Sequence, residues 1–113
     1  MLIATIPAAL SDQDLVQFRD ELADRVGRQR IRGVVVDVTA LDVLDSFASR
    51  TLGGIAATAK LRGADTVVVG IQPEVAFAMV QLGLTLNGVE TALDLDEGMA
   101  LLRDIARRSR RAG

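Results

Sequence analysis

Hydrophobic and polar positions follow two different periods along this chain. Short apolar runs, typical of strands buried on both faces of a parallel sheet, occupy 2–6, 33–38, 66–71 and 89–92. After each run, apolar residues recur at helical spacing. This spacing predicts helices over about 12–28, 46–61, 73–82 and 94–106.

The predicted order is β-α-β-α-β-α-β-α. Repeated βα units indicate a single α/β domain over residues 1–106, with a mixed, mostly parallel sheet of about four strands and about four helices. Ser11 is a predicted N-cap, and Pro73 suits the first turn of the third helix. Residues 107–113 are predicted to form a basic, disordered tail.

A glycine pair interrupts the second predicted helix. Gly53 and Gly54 each cost about 1 kcal/mol of helix propensity. We interpret them as permitting close packing of this helix on the sheet. A role in binding is the alternative.

The composition narrows the possible chemistry. The chain has no Cys and no His, which excludes disulfides and thiolate catalysis and removes the commonest general base and transition-metal ligand. Neither G-x-x-x-x-G-K-[ST] nor G-x-G-x-x-G occurs, and Lys60 is the only lysine. We therefore expect no enzymatic activity, no catalytic residue and no cofactor.

Hydropathy and charge bear on location and partners. No apolar run approaches the ~20 residues of a membrane span, and residues 1–7 lack the positive start of a signal peptide. We expect a cytoplasmic protein without membrane contact.

Residues 103–113 carry five Arg and one Asp, whereas 1–102 carry eight basic and fourteen acidic residues. We interpret the arginines as a solvated helix end favoured by the macrodipole, and expect no nucleic-acid partner.

The segment 34–47 combines a buried strand, an acidic loop and an Asp-Ser pair at a helix start. Two interpretations of Ser46 are open. In the first, Asp45 or Ser46 simply caps the helix. In the second, Ser46 is phosphorylated, so that a dianion lies on the helix N-terminus beside Asp42 and Asp45 and repels an acidic or apolar partner surface.

The same carboxylates allow a third interpretation. Asp37, Asp42 and Asp45 follow one strand, and ligands gather at the carboxyl ends of parallel strands. A Mg²⁺ site or phosphoaspartate chemistry would use such oxygens if they converged. The alternative is that Asp42 and Asp45 are loop and cap residues, and we predict no metal site.

Six segments, in the order in which they follow one another along the chain, resemble the STAS domain of anti-sigma factor antagonists. The resemblance is closest to the RsbS-type scaffold of the stressosome. The resemblance extends from about Leu15 to Leu102. The block Gly70-Ile71-Gln72-Pro73-Glu74-Val75-Ala76 is its most distinctive part. The other matching segments are 34–39, 42–47, 61–64, 82–84 and 90–95.

This resemblance implies a function. Ser46 matches the serine that a switch serine/threonine kinase phosphorylates, which releases the kinase, and a serine phosphatase resets the state. RsbR-type STAS paralogues are implied as partners in a homo- or hetero-oligomer. The chain is then a scaffold and kinase substrate in stress signalling, with a switch surface of Asp42, Asp45, Phe47 and Arg50 around Ser46.

Two departures from the family pattern stand out. The family usually has a further strand before the one matching 2–6, so the sheet edge is expected to be shorter or uncapped here. Val69 replaces a Thr that is a second phosphosite in RsbR-type paralogues, which fits the single-site RsbS role.

Three other functions stay open. The chain is alternatively a stand-alone anti-anti-sigma factor that binds an anti-sigma kinase while Ser46 is unphosphorylated. It is alternatively a small metal-dependent hydrolase that uses Asp37, Asp42 and Asp45. The last possibility is a STAS-like domain whose serine is never modified.

Overall fold

The computed structural model describes residues 1–8, 10–86 and 88–112, with the backbone alone for 110–112. Four strands and four helices alternate along it, as the sequence predicts. The strands are β1 (Leu2–Thr5), β2 (Gly33–Asp37), β3 (Asp65–Val69) and β4 (Glu90–Ala92). The helices are α1 (Asp12–Arg28), α2 (Ser46–Leu61), α3 (Pro73–Gln81) and α4 (Leu95–Ala112).

The strands form one sheet in the order β1-β2-β3-β4, and every pairing is parallel. The continuous apolar runs of β2 and β3 follow from burial on both faces. One side of the sheet packs its valines into the core with α1 and α2; these valines are Val34, Val36 and Val68. The other side packs against α4; its valines are Val35, Val67 and Val69.

The helix starts are set by their caps. Ser11 Oγ accepts a hydrogen bond from the Asp14 amide at 3.1 Å, and the Asp14 carboxylate accepts one from the Ser11 amide at 3.4 Å. This capping box satisfies two of the amides that a helix start leaves unpaired. Pro73 occupies the first turn of α3, where its missing N–H costs nothing.

The sequence interpretation of the glycine pair is wrong. A Cβ at Gly53 or Gly54 would meet no neighbouring atom within 4 Å, so close packing of α2 does not require glycine there. The close approach lies in α4 instead, because a Cβ at Gly98 would collide with the Val69 side chain. Gly98 is buried where α4 crosses β3. A role of Gly53 and Gly54 in binding is the alternative that this geometry leaves open.

The C-terminal region differs from its prediction as a disordered tail. The backbone of α4 stays helical to Ala112. Asp104 pairs with Arg107 at 3.8 Å and with Arg108 at 3.4 Å, and pairs at this spacing support a helix. The side chains of 110–112 and the whole of Gly113 lie outside the described residues. Within the described part of the chain, no helix has the length and apolarity to cross a bilayer.

We predict that Gly53→Ala and Gly54→Ala each stabilise the fold. Alanine fits the open space at both positions and restricts the unfolded chain, which is worth about 0.5–1 kcal/mol per site. Urea unfolding of each variant measures the change in the free energy of unfolding.

Gly98→Ala is the matched control, since its added methyl group meets Val69 and should destabilise the domain. Destabilisation by Gly53→Ala or Gly54→Ala would contradict this interpretation of the open space around α2.

Candidate functional site

The loop between β2 and α2 is held at the carboxyl edge of the sheet. The Val38 amide donates to the Val69 carbonyl at 3.0 Å, which extends the β2–β3 pairing past the end of β2. The Leu41 amide then donates to the Val38 carbonyl at 3.0 Å and closes a turn. Leu44 is buried in the core and anchors the last part of the loop. Its neighbours Asp42, Val43 and Asp45 are exposed.

Asp45 is the N-cap of α2. Its backbone is extended, with φ −80° and ψ −178°, and its Oδ1 accepts a hydrogen bond from the Ala48 amide at 2.8 Å. Ser46 is therefore the first helical residue. Its side chain is exposed, and its hydroxyl has no hydrogen-bond partner among the described residues. Of the two candidate capping residues, Asp45 performs this role and leaves the Ser46 hydroxyl free.

The other residues of the predicted switch surface surround Ser46 in the sequence and differ in exposure. Phe47 is half-buried and packs against the core. Arg50 is exposed, lies four residues after Ser46 on the same face of α2, and forms no ion pair within the described residues. Asp42 is exposed in the loop. The surface thus combines carboxylates, a free hydroxyl and an unpaired guanidinium.

A small cleft adjoins this surface, between the loop and the start of α1. Its volume is about 250 Å³. Apolar side chains form much of its wall, and three carboxylates, those of Asp12, Asp42 and Asp45, line it as well. Val43, which is 71% exposed, also lines this cleft. It gives a partner an apolar side chain to contact between acidic neighbours.

The three aspartates of the metal hypothesis have separate hydrogen-bonding roles. Asp37 Oδ1 accepts from the Thr39 amide at 2.9 Å and from the Thr39 hydroxyl at 2.6 Å, while Asp45 accepts from Ala48. Among the described residues, no three His, Cys, Asp or Glu side chains come together as a metal site would need. The arrangement therefore gives the metal-dependent hydrolase no support.

Sequence reasoning missed the contacts that hold the loop from the side of β3. Gln72 Nε2 donates to the Thr39 carbonyl at 2.6 Å, across 33 residues of sequence. Gly70 has φ +83°, and a Cβ there would collide with the Thr39 hydroxyl. Only glycine combines this conformation with this close approach. The Gly70-Ile71-Gln72 block thus positions the loop that leads to Ser46. The Gly-Ile-Gln-Pro motif was visible in the sequence, but the sequence does not indicate that it contacts Thr39.

With this geometry established, comparison with known proteins identifies the family. Residues 1–98 match the STAS domain. The chain belongs to the STAS domain family. The predicted resemblance and fold class are thereby confirmed.

Solved structures agree with this assignment. A serine-to-glutamate variant of Moorella thermoacetica RsbS is 38% identical to this STAS chain, with a TM-score of 0.78 over 93% of this chain and 89% of that one. A structure described as the molecular architecture of the stressosome, a signal integration and transduction hub, contains a chain that is 39% identical, with a TM-score of 0.76 over 93% and 91% of the two chains.

Curated relatives come from Bacillus subtilis. The RsbT co-antagonist protein RsbRA is 29% identical over 83 residues, which are 74% of this STAS chain and 30% of RsbRA. The uncharacterized protein YezB is 33% identical over 67 residues, or 59% and 68% of the two chains. The chain spans about a third of the RsbRA length. These relatives and structures support the anti-sigma factor antagonist and stressosome class that the sequence predicts.

We predict that removal of the Asp45 cap destabilises the domain while removal of the Ser46 hydroxyl does not. Asp45→Ala should lower the free energy of unfolding by about 1 kcal/mol, because the Ala48 amide loses its acceptor. Asp45→Asn keeps an acceptor and should retain most of the stability. Ser46→Ala should change it by less than about 0.5 kcal/mol, as is usual for an exposed side chain without special contacts. An equal loss in Ser46→Ala and Asp45→Ala, measured by urea unfolding, would contradict this division of roles.

Proposed function

We propose that this STAS chain is a non-enzymatic scaffold of a stressosome-type complex, which holds a switch serine/threonine kinase and releases it when Ser46 is phosphorylated. The observation that carries the proposal is the free, exposed hydroxyl of Ser46 at the first position of α2, beside a helix start that Asp45 already caps. Such a serine can be modified without loss of the structure that presents it.

A phosphate on Ser46 fits the helix end. The amides of Ser46 and Phe47 have no partner among the described residues, since the first two amides bonded to Asp45 are those of Ala48, which donates to the carboxylate, and Ser49, which donates to the carbonyl. Free amides and the positive end of the helix dipole favour an anion at this position. Phosphorylation of Ser46 is therefore compatible with a helix that begins at this residue.

The same phosphate changes the surface sharply for a partner. It adds about −1.5 to −2 charges beside the exposed carboxylates of Asp42 and Asp45. The exposed Val43 lies in the same loop, and a partner that buries an apolar contact there must then also desolvate a dianion. Arg50, one turn along α2 and unpaired within the described residues, is in position to bond the phosphate and would then be lost to the partner.

The position before the Gly-Ile-Gln-Pro block supports a single switch. Val69 is almost fully buried at the point where Gly98 of α4 approaches β3. It carries no hydroxyl, whereas the family resemblance implies a second phosphosite at this position in RsbR-type paralogues. Ser46 is then the only switch serine implied by the family pattern, as in the RsbS role.

The proposed partners follow from the family. The similarity to a chain of the solved stressosome supports assembly with RsbR-type STAS paralogues. A serine/threonine kinase would bind the surface of Asp42, Asp45, Phe47 and Arg50, and a serine phosphatase would reset Ser46. We propose that the chain acts in the cytoplasm, without nucleic acid, membrane or cofactor. Holding and releasing a kinase needs only contacts between proteins.

We predict that one Ser46 substitution preserves kinase binding and that another weakens it. Ser46→Ala removes the site of modification and should bind the switch kinase as the unphosphorylated chain does, even with ATP present. Ser46→Asp places a charge beside Asp42 and Asp45 and should weaken binding about ten-fold or more. Isothermal titration calorimetry with the switch kinase of the same organism measures both affinities.

Ser109→Asp serves as the matched control, since it adds the same charge at an exposed position near the far end of α4. Its affinity for the kinase should equal that of the unmodified chain. Equal affinities of Ser46→Ala and Ser46→Asp would contradict the switch.

A further inference from the structure

The positive charges of this chain gather at one end of the sheet. All its lysines and arginines except Arg19 and Arg50 lie in the last turns of α1 and α2, in the turns that follow these helices, or from Arg103 onward in α4. Helices that connect parallel strands run back against them, so these positions share the amino-terminal edge of the sheet. The acidic first turns of α1, α3 and α4 lie at the opposite, carboxyl edge, as does the Ser46 surface.

Contacts between the elements bring these cations onto one surface. A Cβ at Gly27 would collide with the Arg62 guanidinium, so the end of α2 reaches across the end of α1. A Cβ at Gly33 would lie 3.2 Å from the Leu102 side chain. The start of β2 therefore touches the turn of α4 that carries Arg103.

Helix dipoles account for only part of this charge. Cations in the last turn of a helix complement its negative end, and two such cations, Arg28 and Lys60, are also paired with carboxylates at 2.7 and 2.6 Å. Arg30 and Arg32 follow α1, and Arg103 lies in the middle of α4. These three arginines are exposed and form no ion pair within the described residues.

The backbone at Arg30 is unusual for a residue with a side chain. Its φ is +52°, in the left-handed region. The Ile31 amide donates to the Val26 carbonyl at 3.1 Å, which closes the end of α1 in the manner of a Schellman turn. Glycine usually occupies the left-handed position of this turn, because it has no Cβ to strain. An arginine held there against its backbone preference points to a role for its side chain.

A small cleft lies between the start of β2 and α4, and both Arg32 and Arg103 line it. Its volume is about 180 Å³. The carboxylate among its lining residues is that of Asp65, which already binds Lys60. Its apolar lining consists of Met1, Leu102 and Ala106. We call this cleft, with Arg30 beside it in the sequence, the arginine cleft.

We infer that the arginine cleft binds an acidic segment of a partner protein, in which Asp or Glu residues flank an aliphatic side chain. A guanidinium bonds a carboxylate through two parallel N–H groups, and Arg32 and Arg103 have no competing carboxylate within the described residues. The apolar lining between them accepts the aliphatic side chain. Neither a purely charged nor a purely apolar ligand uses both parts of the cleft.

The same surface fits a nucleic acid poorly. Neither α4 nor the turns after α1 and α2 contain an aromatic residue on which a base could stack. Three carboxylates, those of Asp65, Glu90 and Asp104, also lie at this end of the sheet and would repel a continuous phosphate backbone. A short peptide can place its few carboxylates between them.

This binding surface goes beyond the proposed switch and is independent of it. The five residues of β2 separate the two edges of the sheet by roughly 16 Å, which is about twice the Debye length at physiological salt. A phosphate on Ser46 is therefore screened from the arginine cleft. The cleft stays available in both states of Ser46, and failure of either proposal leaves the other untouched.

The test is fluorescence anisotropy of a labelled peptide of glutamates around one leucine, titrated with the full chain. Arg32→Gln and Arg103→Gln should each weaken binding about ten-fold. Arg19→Gln is the matched control, since it removes the same charge from the middle of α1 and should leave the affinity unchanged. The same peptide with glutamine in place of glutamate should not bind, and added salt should weaken the acidic peptide.

Arg30→Gly separates binding from a structural role. Glycine suits the left-handed backbone, so the urea midpoint of this variant should stay the same or rise. Its affinity for the acidic peptide should fall at least about three-fold, because one guanidinium is lost. A variant that loses stability, or that keeps the full affinity, would remove Arg30 from the site.

Three results would overturn the inference. The first is no difference in peptide affinity between Arg103→Gln and Arg19→Gln. The second is tighter binding of a single-stranded oligonucleotide than of the acidic peptide, which would make the surface a nucleic-acid site. The third is a loss of peptide affinity in Ser46→Asp, which would place the peptide on the Ser46 surface. An unchanged affinity in Ser46→Asp supports two independent surfaces.

Discussion

Burial of the two central strands on both faces is the constraint on which the rest of this structure depends. Val34, Val35 and Val36 of β2 are fully buried, and the valines of β3 beside them are nearly so. Two-sided burial requires helices on both faces, and parallel pairing brings the loops that follow the strands to one edge of the sheet. The β2–α2 loop and the Gly70-Ile71-Gln72 block meet there, and their contact through Thr39 fixes the approach to Ser46.

Much of this arrangement could be predicted from the sequence, because its signals are local. Strands and helices follow from hydrophobic period, and the start of α1 follows from the Ser11–Asp14 pair. Contacts between distant segments have no such local signal. Gln72 bonds to Thr39 across 33 residues of sequence. The glycine required for close helix–sheet packing is Gly98 of α4, and not the pair Gly53 and Gly54 in α2. For Ser46, two interpretations of the Asp-Ser pair were open from the sequence, and the hydrogen bond from the Ala48 amide to Asp45 shows which residue caps the helix.

The separate roles of Asp45 and Ser46 would allow one surface to be both a fixed structure and the proposed switch. Asp45 holds the helix start, whereas the neighbouring hydroxyl contributes nothing to the hydrogen bonding described for α2. Under the proposed function, a phosphate on Ser46 would therefore alter what the surface binds, while the STAS domain that presents it would keep its fold. This separation suits a scaffold, whose assembly surfaces must persist through each cycle of kinase binding and release.

Intact-mass spectrometry shows whether Ser46 is the residue that the switch kinase phosphorylates. The chain and its Ser46→Ala variant are each incubated with the switch serine/threonine kinase and ATP. We expect one added phosphate on the unmodified chain and none on the variant. No added phosphate with an active kinase, or a phosphate that persists in Ser46→Ala, would contradict the claim that Ser46 is the switch of this STAS domain.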